Sequence, residues 1–179
     1  MLALYGLTRQ VFGGRSKGEK NTSLPMLSAL LHIVSPAGAF LSAPYGEAPF
    51  AFLNLTGFYA FVCGLRYDRC GKFISRDVGF LFAGVLFTVA NTIRSNGVLG
   101  GILFAYEAVL GLRHILVNGL SWCVLRRLLV VCVSGGLIAL GMAGPQYLAY
   151  RQFCLVDTPR PWCQSLVPSI YTWVQNHYW

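Results

Sequence analysis

The segment LLVVCVSGGLIALGMAGPQYLAY, from Leu128 to Tyr150, contains no Asp, Glu, Lys or Arg in 23 positions. A helix needs about 20 mainly apolar residues to cross a bilayer, so this segment predicts a membrane span. Residues 21–46, 48–65 and 78–93 also lack charged side chains, and the run 97–112 is interrupted only by Glu107. We therefore predict five spans, at residues 23–44, 48–65, 78–93, 97–117 and 128–147.

The composition of the chain agrees with a membrane protein. Hydrophobic residues make up 55% of the sequence and charged residues 11%, whereas soluble domains carry about 25% charged residues. The net charge of +8 does not indicate a nucleic-acid partner, because the basic residues lie at the ends of apolar runs rather than along one face. We predict an all-α fold, a polytopic transmembrane helical bundle that forms a single membrane domain over residues 1–147.

Three clusters of basic residues predict the orientation of the spans. They are Arg9, Arg15, Lys17 and Lys20; Arg66, Arg69, Lys72 and Arg76; and Arg113, Arg126 and Arg127. With five spans all three clusters fall on one side, which is the cytosol by the positive-inside rule. The connectors 42–47 and 94–97 and the tail from Gln146 onward then face the opposite side.

The tail, residues 148–179, is rich in Trp, Tyr and Pro. Aromatic rings with a polar group favour the membrane interface, so we expect this tail to lie along the bilayer surface. It contains Cys154 and Cys163, with a turn-rich segment between them. A disulfide is allowed if this side is the lumen of the secretory pathway, and two free thiols fit the spacing equally well.

Arg94 is the first candidate functional residue. It follows the apolar run 78–93 and precedes Ser95, Asn96 and a glycine. A guanidinium beside short hydrogen-bonding side chains suits an anionic phosphate at the membrane surface. The alternative is an interfacial arginine that extends toward lipid head groups.

Glu47 is the second candidate. It lies between Pro44 and Pro49, where the helix breaks, and a broken helix at the rim can line a cavity. The alternative is a solvated carboxylate in a turn. Glu107 lies within a predicted span, and we expect it to pair with Arg113 or with a neighbouring helix.

The motifs of soluble enzymes are missing from the sequence. We find no phosphate-binding loop, zinc pattern or nucleophile elbow, and the three histidines are scattered. We therefore expect no metal or other cofactor.

Three strings together resemble the PIG-V family, the second mannosyltransferase of GPI-anchor assembly. They are SPAGAFLSAPYGEAPFAF at 35–52, TIRSNG at 92–97, and RPWC at 160–163 followed by PSIYTWVQNHYW at 168–179. The resemblance implies a GT-C-like, multi-spanning glycosyltransferase of the endoplasmic reticulum membrane. It implies transfer of the second mannose from dolichol-phosphate-mannose to the GPI precursor in the lumen, with Tyr45, Glu47, Arg94, Ser95 and Asn96 as substrate-binding residues. It leaves open whether an accessory membrane subunit takes part.

The chain also departs from the family pattern. Similar members begin with a lumenal loop that carries a Trp-Asp pair, thought to supply the catalytic carboxylate, and they continue beyond the HYW string with further spans. We therefore expect a fragment truncated at both ends that is inactive alone, and we assign no catalytic residue. The rival interpretation, favoured by composition alone, is a non-enzymatic membrane protein such as a transporter or scaffold subunit.

Overall fold

The structure, a computed structural model, describes residues 2–12, 23–34, 46–155, 160–164 and 169–178, and in this part of the chain helices are joined by short turns and connections. The helices are α1 (Leu2–Phe12), α2 (Ser23–Val34), α3 (Glu47–Arg69), α4 (Phe73–Ile93), α5 (Gly101–Asn118), α6 (Trp122–Phe153) and α7 (Ile170–Tyr178). Two short 3-10 segments, Ser95–Gly100 and Pro161–Gln164, lie before α5 and before α7.

Four of the described segments are long and apolar enough to cross a membrane. They are Glu47–Arg69, Phe73–Ile93, Ser95–Asn118 and Trp122–Phe153. They correspond to the last four of the five predicted spans, and they confirm the prediction of an all-α polytopic membrane fold. The first predicted span, 23–44, begins as α2, and its part after Val34 lies outside the described residues.

The helices extend beyond the predicted spans into charged sequence. Helix α4 begins at Phe73 rather than at residue 78, and α6 runs from Trp122 to Phe153 rather than over 128–147. The apolar run thus sets only a minimum length for the helix, because charged residues such as arginine are compatible with a helix. Arg76, which we placed in a cytosolic loop, lies inside α4 with only 1% of its surface exposed.

The core of the bundle is aromatic. Phe61 of α3 stacks on Phe80 of α4, with ring centroids 4.9 Å apart, and meets Phe104 of α5 edge to face at 5.2 Å. Phe87 of α4 lies edge to face with Phe104 at 6.3 Å. Such offset and edge contacts are the favourable geometries for aromatic rings, so three spans share one core.

Helices α4 and α6 pack closely through small residues. A Cβ atom on Gly84 would come within 2.8 Å of the Cβ of Ser134, which is fully buried. The Ser134 hydroxyl lies 2.9 Å from the carbonyl oxygen of Val130 and 3.3 Å from that of Phe80. Membrane helices associate through close packing and such polar contacts, since the lipid supplies no hydrophobic driving force between them.

Candidate substrate site at the membrane rim

Arg94 ends helix α4 and begins a tight connection to α5. Its backbone is extended (φ −142°, ψ 132°), and its N–H still donates to the carbonyl oxygen of Ala90 at 3.0 Å. The N–H of Gly97 then donates to the Arg94 carbonyl oxygen at 2.9 Å, which closes the first turn of the 3-10 segment. These hydrogen bonds fix the backbone of Arg94 at the end of the helix.

Gly97 allows the connection to fold back on α4. A Cβ atom at this position would lie 2.5 Å from the backbone nitrogen of Asn91 and 2.9 Å from the carbonyl carbon of Ala90. Only glycine permits so close an approach of two backbone segments. The glycine of the TIRSNG string is thus a structural requirement for the position of Arg94.

The Arg94 guanidinium binds the carboxylate of Glu47. Nη1 of Arg94 donates to Oε1 of Glu47 at 2.9 Å, although the residues are 47 positions apart in the chain. The side chains are 44% and 34% exposed. The guanidinium carbon also lies 5.9 Å from the ring centroid of Phe50, within the range of a cation–π contact.

Glu47 is positioned by the start of helix α3. It occupies the first turn of that helix, where a carboxylate is favoured by the unpaired backbone N–H groups and the helix dipole. The preceding Gly46 packs against α4, since a Cβ there would lie 3.1 Å from a side-chain carbon of Ile93. The beginning of α3 and the end of α4 are thereby held together.

The structure brings some of the predicted site residues together and leaves others untested. Arg94 and Glu47 are in contact, and Ser95 and Asn96 follow in the 3-10 segment with exposed side chains. Tyr45 lies outside the described residues. A polar residue that the sequence analysis missed is Asn91, which is buried and donates from Nδ2 to the carbonyl oxygen of Ile138 at 3.2 Å. Its only sequence signal is an amide near the end of an apolar run.

The arrangement can exchange one anion for another. An ion pair between partly exposed side chains is worth only about 0 to 1 kcal/mol, because water screens it. A phosphate that offers two or three oxygens to the planar guanidinium can therefore compete with Glu47 for Arg94. Without such a ligand, Glu47 keeps the guanidinium charge compensated.

A second polar cluster, here called the ion network, lies at the opposite end of the spans. It joins three arginines to three carboxylates on four helices: Asp68, Arg76, Asp77, Glu107, Arg126 and Arg127. Arg76 is central, with Nη1 at 2.8 Å from Asp68 and Nε at 2.8 Å from Asp77. Arg127 binds Asp68 at 3.0 Å and also Glu107.

The ion network shows the partners of the basic residues at this end of the spans and of Glu107. The predicted cytosolic arginines Arg76, Arg126 and Arg127 are bound to carboxylates rather than standing free in loops. Glu107 pairs with the neighbouring helix α6 rather than with Arg113. Apart from the adjacent Arg76 and Asp77, these pairs join different helices, so their partners could not be predicted from the sequence.

The tail is held by a disulfide between Cys154 and Cys163, whose Cα atoms are 5.5 Å apart. Cys154 ends helix α6, and Cys163 lies in the 3-10 segment Pro161–Gln164. Among the residues that the structure describes, no three His, Cys, Asp or Glu side chains are grouped as metal ligands would be.

Comparison with known proteins places these features in a family. The profile of the family described as Mannosyltransferase (PIG-V) matches residues 4–179, which is nearly the whole chain. The chain belongs to the PIG-V mannosyltransferase family. No solved structure matches it.

Curated relatives of this PIG-V family chain carry the name GPI mannosyltransferase 2. The protein of Aspergillus oryzae is 51% identical over the whole chain, which covers 41% of that relative, and the protein of Aspergillus fumigatus is 51% identical, with 40% of it covered. The protein of Chaetomium globosum is 38% identical over 99% of the chain and is also 40% covered. The chain thus spans about two fifths of the length of these relatives.

Proposed function

We propose that this chain is the donor-binding part of a mannosyltransferase of GPI-anchor assembly. The enzyme would add the second mannose to the GPI precursor, using dolichol-phosphate-mannose, on the lumenal face of the endoplasmic reticulum membrane. The observation that supports the proposal is the Arg94–Glu47 pair at the rim of the spans. Family membership and the names of the relatives give the reaction class.

The sidedness supports a lumenal site. Glu47 and Arg94 lie at one end of α3 and α4, while Arg69 and Lys72 lie at the other end, in a basic turn. If that basic end faces the cytosol, as the positive-inside rule predicts, the Arg94–Glu47 pair faces the lumen. This is the side on which a disulfide such as Cys154–Cys163 is stable.

The chemistry gives Arg94 a defined task. In the transfer, an acceptor hydroxyl oxygen forms a bond to the anomeric carbon of mannose while the bond from that carbon to the donor phosphate breaks. The hydroxyl proton leaves to a base, and the electron pair of the broken bond stays on the dolichyl phosphate. A guanidinium held at that phosphate stabilises the charge that develops on it.

Ser95 and Asn96 can orient the phosphate. Both side chains are exposed directly after Arg94, in the 3-10 segment that Gly97 holds against α4. A hydroxyl and an amide add hydrogen bonds to phosphate oxygens without adding charge. In this arrangement Glu47 aims the guanidinium before the donor arrives and releases it when the phosphate binds.

The test is a chimera in a fungal cell. The segment of the Aspergillus oryzae relative that aligns with this chain is replaced by the chain, and the chimera is expressed in cells whose own enzyme is switched off. Restored surface GPI-anchored protein, with loss of the lipid precursor that carries one mannose, is the expected result. A chimera that reaches the membrane at normal abundance, yet leaves that precursor unchanged, supports a non-enzymatic membrane protein instead.

A further inference from the structure

A second concavity lies in the tail, away from the Arg94–Glu47 pair. It has a cavity volume of about 430 Å³ and is lined by Phe153, Arg160, Pro161, Trp162, Trp173 and Val174. Small-ligand sites typically occupy about 300 to 1,000 Å³ and combine apolar walls with a few polar groups. Here the walls are three aromatic rings, and the one charged group of the lining is a guanidinium. We call this cavity the tail pocket.

The disulfide holds the walls of the tail pocket together. Phe153 directly precedes Cys154, and Trp162 directly precedes Cys163, so the Cys154–Cys163 bond fixes one wall residue beside each sulfur. The N–H of Arg160 donates to the carbonyl oxygen of Phe153 at 3.4 Å, and the N–H of Cys163 donates to that of Arg160 at 2.9 Å. Trp162 is only 5% exposed. A covalent bond and backbone hydrogen bonds thus hold the part of the wall that Phe153, Arg160 and Trp162 form.

The tail pocket lies farther along the helices than Arg94. A Cβ on Gly141 of α6 would lie 2.8 Å from a side-chain carbon of Thr88 of α4, so these residues share a level. From there α4 continues to Ile93, a rise of about 8 Å, whereas α6 continues to Phe153, a rise of about 18 Å. The pocket therefore begins roughly 10 Å beyond the end of α4, at the same end of the helix bundle.

We propose that the tail pocket binds a sugar that carries a phosphate group. The C–H face of a hexose is weakly positive and packs on the negative faces of aromatic rings such as Phe153 and Trp173, which line the pocket and keep part of their surface exposed. The Arg160 guanidinium matches phosphate oxygens with a planar pair of N–H donors. A purely apolar ligand would make no ionic contact with Arg160, and a neutral sugar would contact mainly the aromatic rings.

The occupant is the phosphorylated acceptor glycan rather than the donor. This assignment rests on the proposed function, which gives Arg94 at the membrane rim to the donor phosphate. The tail pocket stands roughly 10 Å farther along the spans than the end of α4. A growing glycan reaches that height from its lipid anchor, while the single sugar of the donor stays next to its membrane-embedded phosphate.

Direct binding to the purified chain in detergent tests the inference, with intrinsic tryptophan fluorescence and calorimetry as readouts. The probes are methyl α-mannoside 6-phosphate, which carries phosphate away from the anomeric carbon, mannose 1-phosphate, which carries it there as the donor does, methyl α-mannoside and inorganic phosphate. We expect the 6-phosphate to bind at least about tenfold more tightly than the plain mannoside, because one charge-assisted contact is lost without phosphate. Tighter binding of mannose 1-phosphate overturns the acceptor assignment, and saturable binding of none of the sugars overturns the pocket.

Two variants locate the binding. Arg160→Gln removes an exposed charge, and it should weaken binding of the 6-phosphate by about tenfold to a hundredfold while leaving the plain mannoside unchanged. Trp173→Leu should weaken both sugars. Trp122→Leu is the matched control, since Trp122 is 77% exposed at the other end of α6. Equal binding by all three variants shows that the sugars bind elsewhere and contradicts the inference.

The binding test and the chimera test fail separately. Sugar binding that depends on Arg160, together with a chimera that transfers no mannose, keeps the tail pocket and rejects the proposed reaction. Normal mannose transfer by a chimera that carries Arg160→Gln at limiting acceptor concentration rejects the pocket and keeps the reaction.

Discussion

Arg127 of α6 donates to Asp68 of α3 at 3.0 Å, although 59 positions separate the two residues in the chain. The same guanidinium also binds Glu107 of α5. One side chain therefore ties three membrane spans at the end opposite Arg94. Arg76 continues the ion network from Asp68 to Asp77, with 1% of its side chain exposed.

The first prediction concerns stability. Arg76→Met removes the shared partner of Asp68 and Asp77. Because Asp68 keeps Arg127 and Asp77 keeps Arg126, the cost should fall below the roughly 3 to 5 kcal/mol of a buried charge left wholly unpaired. We expect a lower midpoint of thermal unfolding in detergent and reduced abundance in cells. Arg113→Met is the control, because Arg113 is exposed on α5. Identical midpoints for the two variants would show that the ion network contributes nothing to stability.

The second prediction concerns topology. Cys70 is exposed in the turn between α3 and α4, so an impermeant thiol reagent should label it from the cytosol of sealed microsomes. Cys163, after reduction, should react only when the reagent enters the lumen. Labelling of both cysteines from one side contradicts the predicted orientation.

The third prediction concerns the Cys154–Cys163 disulfide. Mass spectrometry without reduction should find these two cysteines linked in one pair of tail peptides. A bond that closes so short a loop contributes about 2 to 3 kcal/mol by restricting the unfolded chain. Cys123 and Cys132 are free and exposed, so they serve as alkylation controls. Alkylation of all four cysteines to the same extent rules the bond out.

The fourth prediction concerns Arg94 in the chimera. Arg94→Ala should lower mannose transfer by about tenfold to a hundredfold, which corresponds to the roughly 1.5 to 3 kcal/mol of a charge-assisted contact. Arg94→Lys keeps the charge but loses the planar fork, so it should also impair transfer if two guanidinium nitrogens bind the phosphate. Surface GPI-anchored protein and enzyme abundance are measured together at limiting expression. Full rescue by both variants makes Arg94 an interface anchor only.

The fifth prediction concerns Gly97. Gly97→Ala places a Cβ 2.5 Å from the backbone nitrogen of Asn91, so the connection must move and carry Arg94 with it. We expect reduced transfer in the chimera. Gly136→Ala is the matched control, because a Cβ there meets no atom within 4 Å and alanine favours a helix more than glycine does. Normal transfer by Gly97→Ala argues against a role for this connection.

The membrane character could be predicted from the sequence alone, and so could the last four spans and the polar strings at their ends. This follows because a bilayer demands long apolar runs, and such runs are visible without any knowledge of packing. The positions of Arg94 and Glu47 next to helix breaks were visible for the same reason. Helix ends were predicted less well. Helices α4 and α6 continue into sequence that contains charged residues, whereas the predicted spans ended where the apolar residues ended.

The pairing of charged side chains, in contrast, depends on how the helices pack. Arg76 binds both Asp68 and Asp77, and Glu107 binds Arg127 of another helix. Glu47 binds Arg94, which is 47 positions away in the chain. The tail pocket likewise gathers rings from three separate segments. Charge pairing and cavity shape depend on how each helix is rotated about its axis and packed against its neighbours. The apolar pattern of one helix does not show how the next helix is rotated.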